Sequence, residues 1–128
     1  MKNGKSYLSK ELAFPLAHYP HLREVNGFLF VSGISARKKD GTIEGKDIKT
    51  QTRAVLENLK TILSLAGADL THLVDLTVFL TDMENYSGYN EVYNRYFNAE
   101  NGPTRTTVSV KELPGKDLLI EMKGTAVS

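Results

Sequence analysis

Two charges sit inside apolar runs that read as β-strands: Arg105 in "TRTTVSV" (104–110) and Glu121 in "DLLIEMKGTAV" (117–127). A guanidinium is a planar fork that can take a carboxylate through two parallel hydrogen bonds. A carboxylate can orient and deprotonate water. Together they would make a hydrolytic site for a small acid. Strand alternation places Thr106, Val108 and Val110 on one side, and Arg105, Thr107 and Ser109 on the other. On the return strand Leu118, Ile120 and Met122 oppose Leu119, Glu121 and Lys123. If the apolar sets meet the helices, both charges share the far face, and a tight turn over Lys111–Gly115 brings Arg105 directly opposite Glu121. Pro114-Gly115 leaves that register open. Two readings stand: a cross-strand ion pair contributing roughly 0–1 kcal/mol, or a carboxylate anchor beside a water-activating base. The second depends on whether something buries that face.

Other elements must position these strands. "GFLFVSGIS" (27–35) reads as a central strand entering a loop at Ser32-Gly33, and "ARKKDGTIEGKD" (36–47) as a polar excursion with a turn at Asp40-Gly41. Residues 48–66 place Ile48, Val55, Leu56, Leu59, Ile62, Leu63 and Ala66 on one helical face, with Asp47 as N-cap and Gly67 as C-terminal cap. "HLVDLTVFLTD" (72–82) is a strand with Val74, Leu76, Val78 and Leu80 on one face. A second helix, about 84–97, carries the stripe Tyr86, Tyr89, Tyr93, Tyr96 and Phe97. The first 20 or so residues, with Pro15 and Pro20, are less patterned. This order predicts one α+β domain over 1–128, a mixed β-sheet with two helices packed on one face. Its second face would expose a broad semi-apolar surface, which predicts a homo-oligomer.

Composition narrows the function. Lys and Arg number 16 against 15 Asp and Glu, which leaves no charge excess to draw nucleic acid or an anionic membrane. No run approaches the roughly 18–20 apolar residues of a membrane span, and the opening residues lack the apolar core of a secretion signal. With no cysteine there is neither disulfide nor thiolate chemistry. A cytoplasmic protein without metal or cofactor is expected. His18 and His21 form an H-x-x-H without a third zinc ligand. The tyrosine stripe reads as core or interface packing. Asn90 divides between capping a neighbouring loop and touching a ligand, and Tyr19 between packing and a cleft. "ARKK" (36–39) reads as a solvated loop, with Arg37 near enough to the Ser32-Gly33 strand end to reach a cleft.

"GPTRTTVSVKELPGKDLLIEM" (102–122) resembles the signature of the RidA family, also called YjgF/YER057c: Pro-small-Arg, a β segment, Leu-Pro, then Ile-Glu-hydrophobic. "FLFVSGIS", "QTRAVLENLKTILSLAGADLTHLVDLTVFLTDM" and "YNEVYNRYF" extend the resemblance over most of the chain. "YPHLREVNGFLFVSGIS" and "GYNEVYNRYF" are most similar to the 2-aminomuconate deaminase branch, and Thr107 stands where the housekeeping imine deaminases usually carry Cys. The resemblance implies a chorismate-mutase-like fold and a homotrimer with active sites in clefts between subunits. It implies hydrolytic deamination of a carboxylate-bearing enamine or imine, most closely 2-aminomuconate, to a 2-oxo product (4-oxalocrotonate) and ammonia. By position it makes Arg105 the carboxylate anchor and Glu121 the water-positioning residue, with Tyr19, Ser32, Gly33 and Asn90 lining the substrate cleft; the Thr107 hydroxyl, a departure from the family pattern, is expected to complete the substrate pocket. A second substrate carboxylate would need another cation, for which His18, His21, Arg23 and Arg37 are candidates. The alternatives are a general 2-iminobutanoate/2-iminopropanoate deaminase and a non-catalytic trimeric binder of small carboxylates.

Overall fold

A computed structural model describes residues 4–128, so the first three residues of the expected 1–128 domain lie outside the described part. The longest helix, α1 (Ile48–Ser64), forms where the periodicity places it. The extended backbone of Asp47 ends the preceding loop, and its carboxylate accepts the Thr50 N–H at 3.0 Å. Val55, Leu56, Leu59, Ile62 and Leu63 form its buried face. The helix closes at Leu65, and Gly67 follows in the left-handed region (φ 71), its N–H bonded to the Ser64 carbonyl at 3.1 Å. Asp47→Ala should lower Tm by about 3–5 °C. The Thr50 N–H holds the Asp47 carboxyl below its usual range. Capping is therefore fully present above the usual carboxylate range and lost as pH falls from there through the lower folded value, so thermal melts of parent and variant should converge in acid.

Six strands make one sheet among the described residues: β1 (Gly4–Tyr7), β2 (Leu22–Val25), β3 (Phe28–Ser35), β4 (Leu73–Leu80), β5 (Thr104–Ser109) and β6 (Ile120–Val127), in the order β1-β2-β3-β6-β4-β5. All neighbours run antiparallel except β4 and β5. Asn26 (φ 51) and Gly27 (φ 82) supply the paired left-handed residues of a two-residue hairpin between β2 and β3. The second helix, α2 (Tyr86–Tyr96), crosses over between β4 and β5, which is why those two are parallel. Both helices lie on one face, where Leu29, Val31, Leu76, Val78, Leu80, Ile120 and Met122 pack against α1 together with Tyr89. No helix among the described residues is long and apolar enough to cross a membrane.

The expected closing hairpin does not form. β5 pairs only with β4, and β6 runs between β3 and β4. Residues 110–119 are an irregular span rather than a tight turn. Buried Gln51 of α1 explains the late start of β6: its side chain takes the Leu119 N–H at 2.9 Å and donates to the Asp117 carbonyl at 2.9 Å, diverting residues 117–119 from the ladder. Arg105 stands beside Leu76 and Thr107 beside Val78, so Arg105, Thr107 and Ser109 face the helices. Glu121 stands beside Phe79 on the opposite face. Arg105 and Glu121 are therefore neither opposite one another nor on one face. Strand spacing and rise separate their Cα atoms by roughly 14 Å.

The register of β5 follows from the β4–α2–β5 crossover, which no turn rule describes. It leaves Thr106 and Val108 on the open side of the sheet, with Phe28 (48% exposed), Phe30 (47%) and Val127 (41%). A bulge between Leu73 and Asp75 likewise turns Val74 outward, off the face expected for it. The less patterned first 20 or so residues contain β1, and β2 follows just after them.

Candidate active site in two halves

The first half is built on β5 and α2. Tyr86, Tyr89, Asn90 and Tyr93 fall at helical spacing on one face of α2, directly over the edge strand. Arg105 rises into them. Its Nη1 donates to Asn90 Oδ1 at 2.7 Å and its Nη2 to Tyr86 Oη at 3.1 Å. The guanidinium carbon lies 4.8 Å and 4.7 Å from the ring centroids of Tyr89 and Tyr93, within cation–π range. Among the described residues no carboxylate comes within 4.0 Å of it. The cation is thus fixed in orientation by neutral partners while its charge remains unpaired. Tyr89 Oη shares a 2.8 Å hydrogen bond with Thr107 Oγ1. Burial pushes the Tyr89 phenol up to about 12, against the opposing pull of Thr107 and Arg105, so it stays protonated. A groove of about 350 Å³ opens here, bounded by Asn90, Asn94, Phe97, Pro103 and Arg105.

The second half lies on the other face, where β3 meets β6. The β3–β6 register shifts between Val31 and Ile34, so Ser32-Gly33 bulges. The Ser32 hydroxyl donates to the Pro20 carbonyl at 2.8 Å and its N–H to the His21 carbonyl at 3.2 Å, tying down the loop that carries Tyr19. The Glu121 side chain lies across Gly33: a Cβ there would stand 2.6 Å from Oε2. Tyr19, Ser32, Gly33, Arg37, Pro114 and Glu121 help enclose a cavity of about 70 Å³. An adjoining groove of about 560 Å³ adds Arg23, Phe30 and Lys123. Burial raises the Glu121 carboxyl above the usual carboxylate range, and Arg37 partly offsets this.

The structure brings Tyr19, Ser32, Gly33 and Glu121 together, and separately Asn90, Arg105 and Thr107. It does not bring the two sets together within one chain. The candidates for a second cation are sorted by their contacts. His21 is buried, with Nδ1 accepting the Ser9 N–H at 2.9 Å and Nε2 2.9 Å from the Ala13 carbonyl, so both nitrogens are engaged. His18 lies apart, on an apolar groove with Leu8, Phe14 and Pro15. Arg23 and Arg37 border the Glu121 side. Lys123 joins them there. Sequence reasoning put it on the same strand face as Glu121 without assigning it a role, and two-residue alternation was the signal. The tyrosine stripe, read as packing, also cradles Arg105.

The chain matches the family model described as Endoribonuclease L-PSP over residues 10–128. A RutC family protein of Pyrococcus abyssi is 42% identical over 126 residues, spanning 93% of this chain and 98% of that relative. Among solved structures, YyfA of Yersinia pestis, from the conserved Rid protein family, aligns with a TM-score of 0.91 at 32% identity, covering 98% of this chain and 99% of its own. E. coli TdcF, solved with bound serine, aligns at 0.87 with 31% identity, covering 97% of this chain and 98% of its own.

Proposed function

Because the chain belongs to the RidA/YjgF family, whose model carries the Endoribonuclease L-PSP description, we propose that it hydrolyses the C–N bond of small imine or enamine acids. The observation that carries this reading is an unpaired, rigidly held Arg105 on one face and a half-buried Glu121 bordering a cavity on the other. The two halves complement each other if the β5 edge of one copy docks against the Glu121 side of a second. The apolar residues of the open face, Phe28, Phe30 and Val108, supply a surface for that docking. A homotrimer closes such contacts into three equivalent clefts.

Arg105 receives the substrate carboxylate through a bidentate contact and so fixes C2. Tyr19, Ser32, Gly33, Asn90 and Thr107 border the reacting centre or hold the groups that do. An enamine first takes a proton at carbon and gives one up from nitrogen to become the imine. Glu121 then orients a water against C2 and takes its proton as the C–O bond forms. It returns that proton to nitrogen. The remaining hydroxyl proton of the carbinolamine then passes through Glu121 to the same nitrogen as the C–N bond breaks, so that ammonia leaves and the ketone forms. A carboxyl raised by burial suits both directions of transfer, because its proton affinity lies closer to working pH. Serine, which TdcF binds, is a small carboxylate in keeping with this anchor.

The fuller reading is 2-aminomuconate deamination to 4-oxalocrotonate. Its second carboxylate would lie along Arg23 and Lys123, which border the groove next to Glu121. Ammonia release from enzymatically generated 2-aminomuconate and from 2-iminopropanoate tests both levels. Preference for the former is expected. Turnover of iminopropanoate alone would replace the dicarboxylate with a simple imino acid, and release from neither would overturn the deaminase reading.

A further inference from the structure

Arg37 has no step in the chemistry above, yet its side chain is tethered at two points beside the Glu121 cavity. It lies two residues past the end of β3. Its backbone N–H donates to Ser35 Oγ at 3.3 Å, and it forms an isolated bridge with Ile43. Asn58 of α1 donates to the Ser35 carbonyl at 2.9 Å and to the Arg37 carbonyl at 3.4 Å, anchoring the same corner from the helix side. From that fixed base the guanidinium reaches two other segments. Nη1 donates to the Gly41 carbonyl at 3.1 Å, and Nη2 to the Pro114 carbonyl at 2.9 Å. The second contact links positions 77 apart in sequence.

Pro114 lies in the irregular 110–119 span, which joins the strand bearing Arg105 to the strand bearing Glu121. Within that span Pro114 and Leu118 wall the cavity. The strap passes so closely that a Cβ on Gly115 would stand 2.7 Å from Arg37 Nη2. With one N–H of each terminal nitrogen directed to a different backbone carbonyl, the guanidinium ties the 37–41 corner to the Pro114 span.

We propose that Arg37 is a positioning residue for the Glu121 half-site: it straps the Pro114 segment over the cavity and keeps a fixed positive charge beside the Glu121 carboxylate. The inference deepens the deaminase reading and rests on it for its catalytic consequence. Other charged or titratable groups bordering Glu121 are Lys123 on β6, Arg23 on β2, and Tyr19 and His21 from the preceding loop; α1 contributes only apolar Ile62 to the cavity. Arg23 is directed to Ser6 Oγ at 2.7 Å, and His21 is locked by its two hydrogen bonds. Arg37 is the cation that lowers the proton affinity of Glu121, against the larger upward effect of burial.

The test pairs Arg37→Gln, which removes the charge, with Arg37→Lys, which keeps the charge and loses the two-armed strap. Arg37→Gln should move the acidic limb of the kcat profile to higher pH. Arg37→Lys should leave that limb near its parental position while raising KM about tenfold, because the Pro114 wall is no longer held. Two readouts need no turnover: the 13C titration of the Glu121 side-chain carboxyl in the unliganded protein, and hydrogen exchange of residues 112–118. The titration midpoint should rise in Arg37→Gln alone, and exchange should accelerate in both variants. If Arg37→Gln leaves the midpoint and the exchange at parental values, the proposal is overturned. If Arg37→Gln does not fold, exchange in Arg37→Lys decides, and parental protection there overturns it. A parent without deaminase activity sinks the deaminase reading while leaving the titration and exchange to judge Arg37.

Discussion

Arg105→Ala is expected to lower kcat/KM on a carboxylate-bearing imine by about 10²–10⁴-fold. Two hydrogen bonds to a charged group are lost, each contributing about 1.5–3 kcal/mol when the partner has no alternative. Part of the loss should fall on kcat, since the same fork fixes C2 relative to water. Arg105→Lys should rescue little. An ammonium cannot reach Asn90 and Tyr86 with two arms while lying flat between Tyr89 and Tyr93. Steady-state kinetics, with calorimetric binding of a 2-oxo acid product, checks both variants. Product affinity retained in Arg105→Ala would remove the guanidinium from its assigned place.

Glu121→Gln should have the opposite signature: kcat lower by about 10²–10⁴-fold, with product affinity nearly unchanged. The variant should also melt higher than its parent at neutral pH. Burial raises the Glu121 carboxyl in the folded chain, so the folded state holds this proton to a higher pH than the unfolded state does. Stability therefore declines as pH rises from the unfolded value through the folded one, and an amide escapes that decline. Below the carboxylate range the two melting curves should meet. Mixing provides a sharper check. Unfolding and refolding Arg105→Ala with Glu121→Gln in equal amounts should restore about a quarter of parental activity, because that share of clefts pairs an intact Arg105 with an intact Glu121 from a neighbour. No recovery in correctly assembled mixtures would count against a shared cleft.

Local chemistry was legible in the sequence wherever it was local. Asp47 and the apolar spacing that follows it define α1 because a cap and a helical face are both properties of consecutive residues. Arg105 and Glu121 stood out because a charge is costly in a buried strand without a reason. Pairing was another matter. The order β3-β6-β4-β5 depends on contacts between residues far apart in the chain, and the nearest-neighbour hairpin was the wrong partner for β5. The apolar half of β5 misled for a physical reason: Thr106 and Val108 lie on the uncovered face, so apolarity there did not mark the helix side. Similarly, nothing local shows that His21 is locked between Ser9 and Ala13, or that tyrosines with the spacing of a packing stripe hold a cation.

The placement of Arg105 and Glu121 on opposite faces has a consequence for expression level. Under the shared-cleft reading a newly made chain is chemically silent, and output scales with assembled clefts rather than with chains. At low copy number activity should rise more steeply than protein abundance, then become proportional once assembly saturates. Dilution should produce the same threshold in a cuvette. A substitution on the open face, remote from both charged groups, could therefore silence the enzyme by shifting that threshold alone.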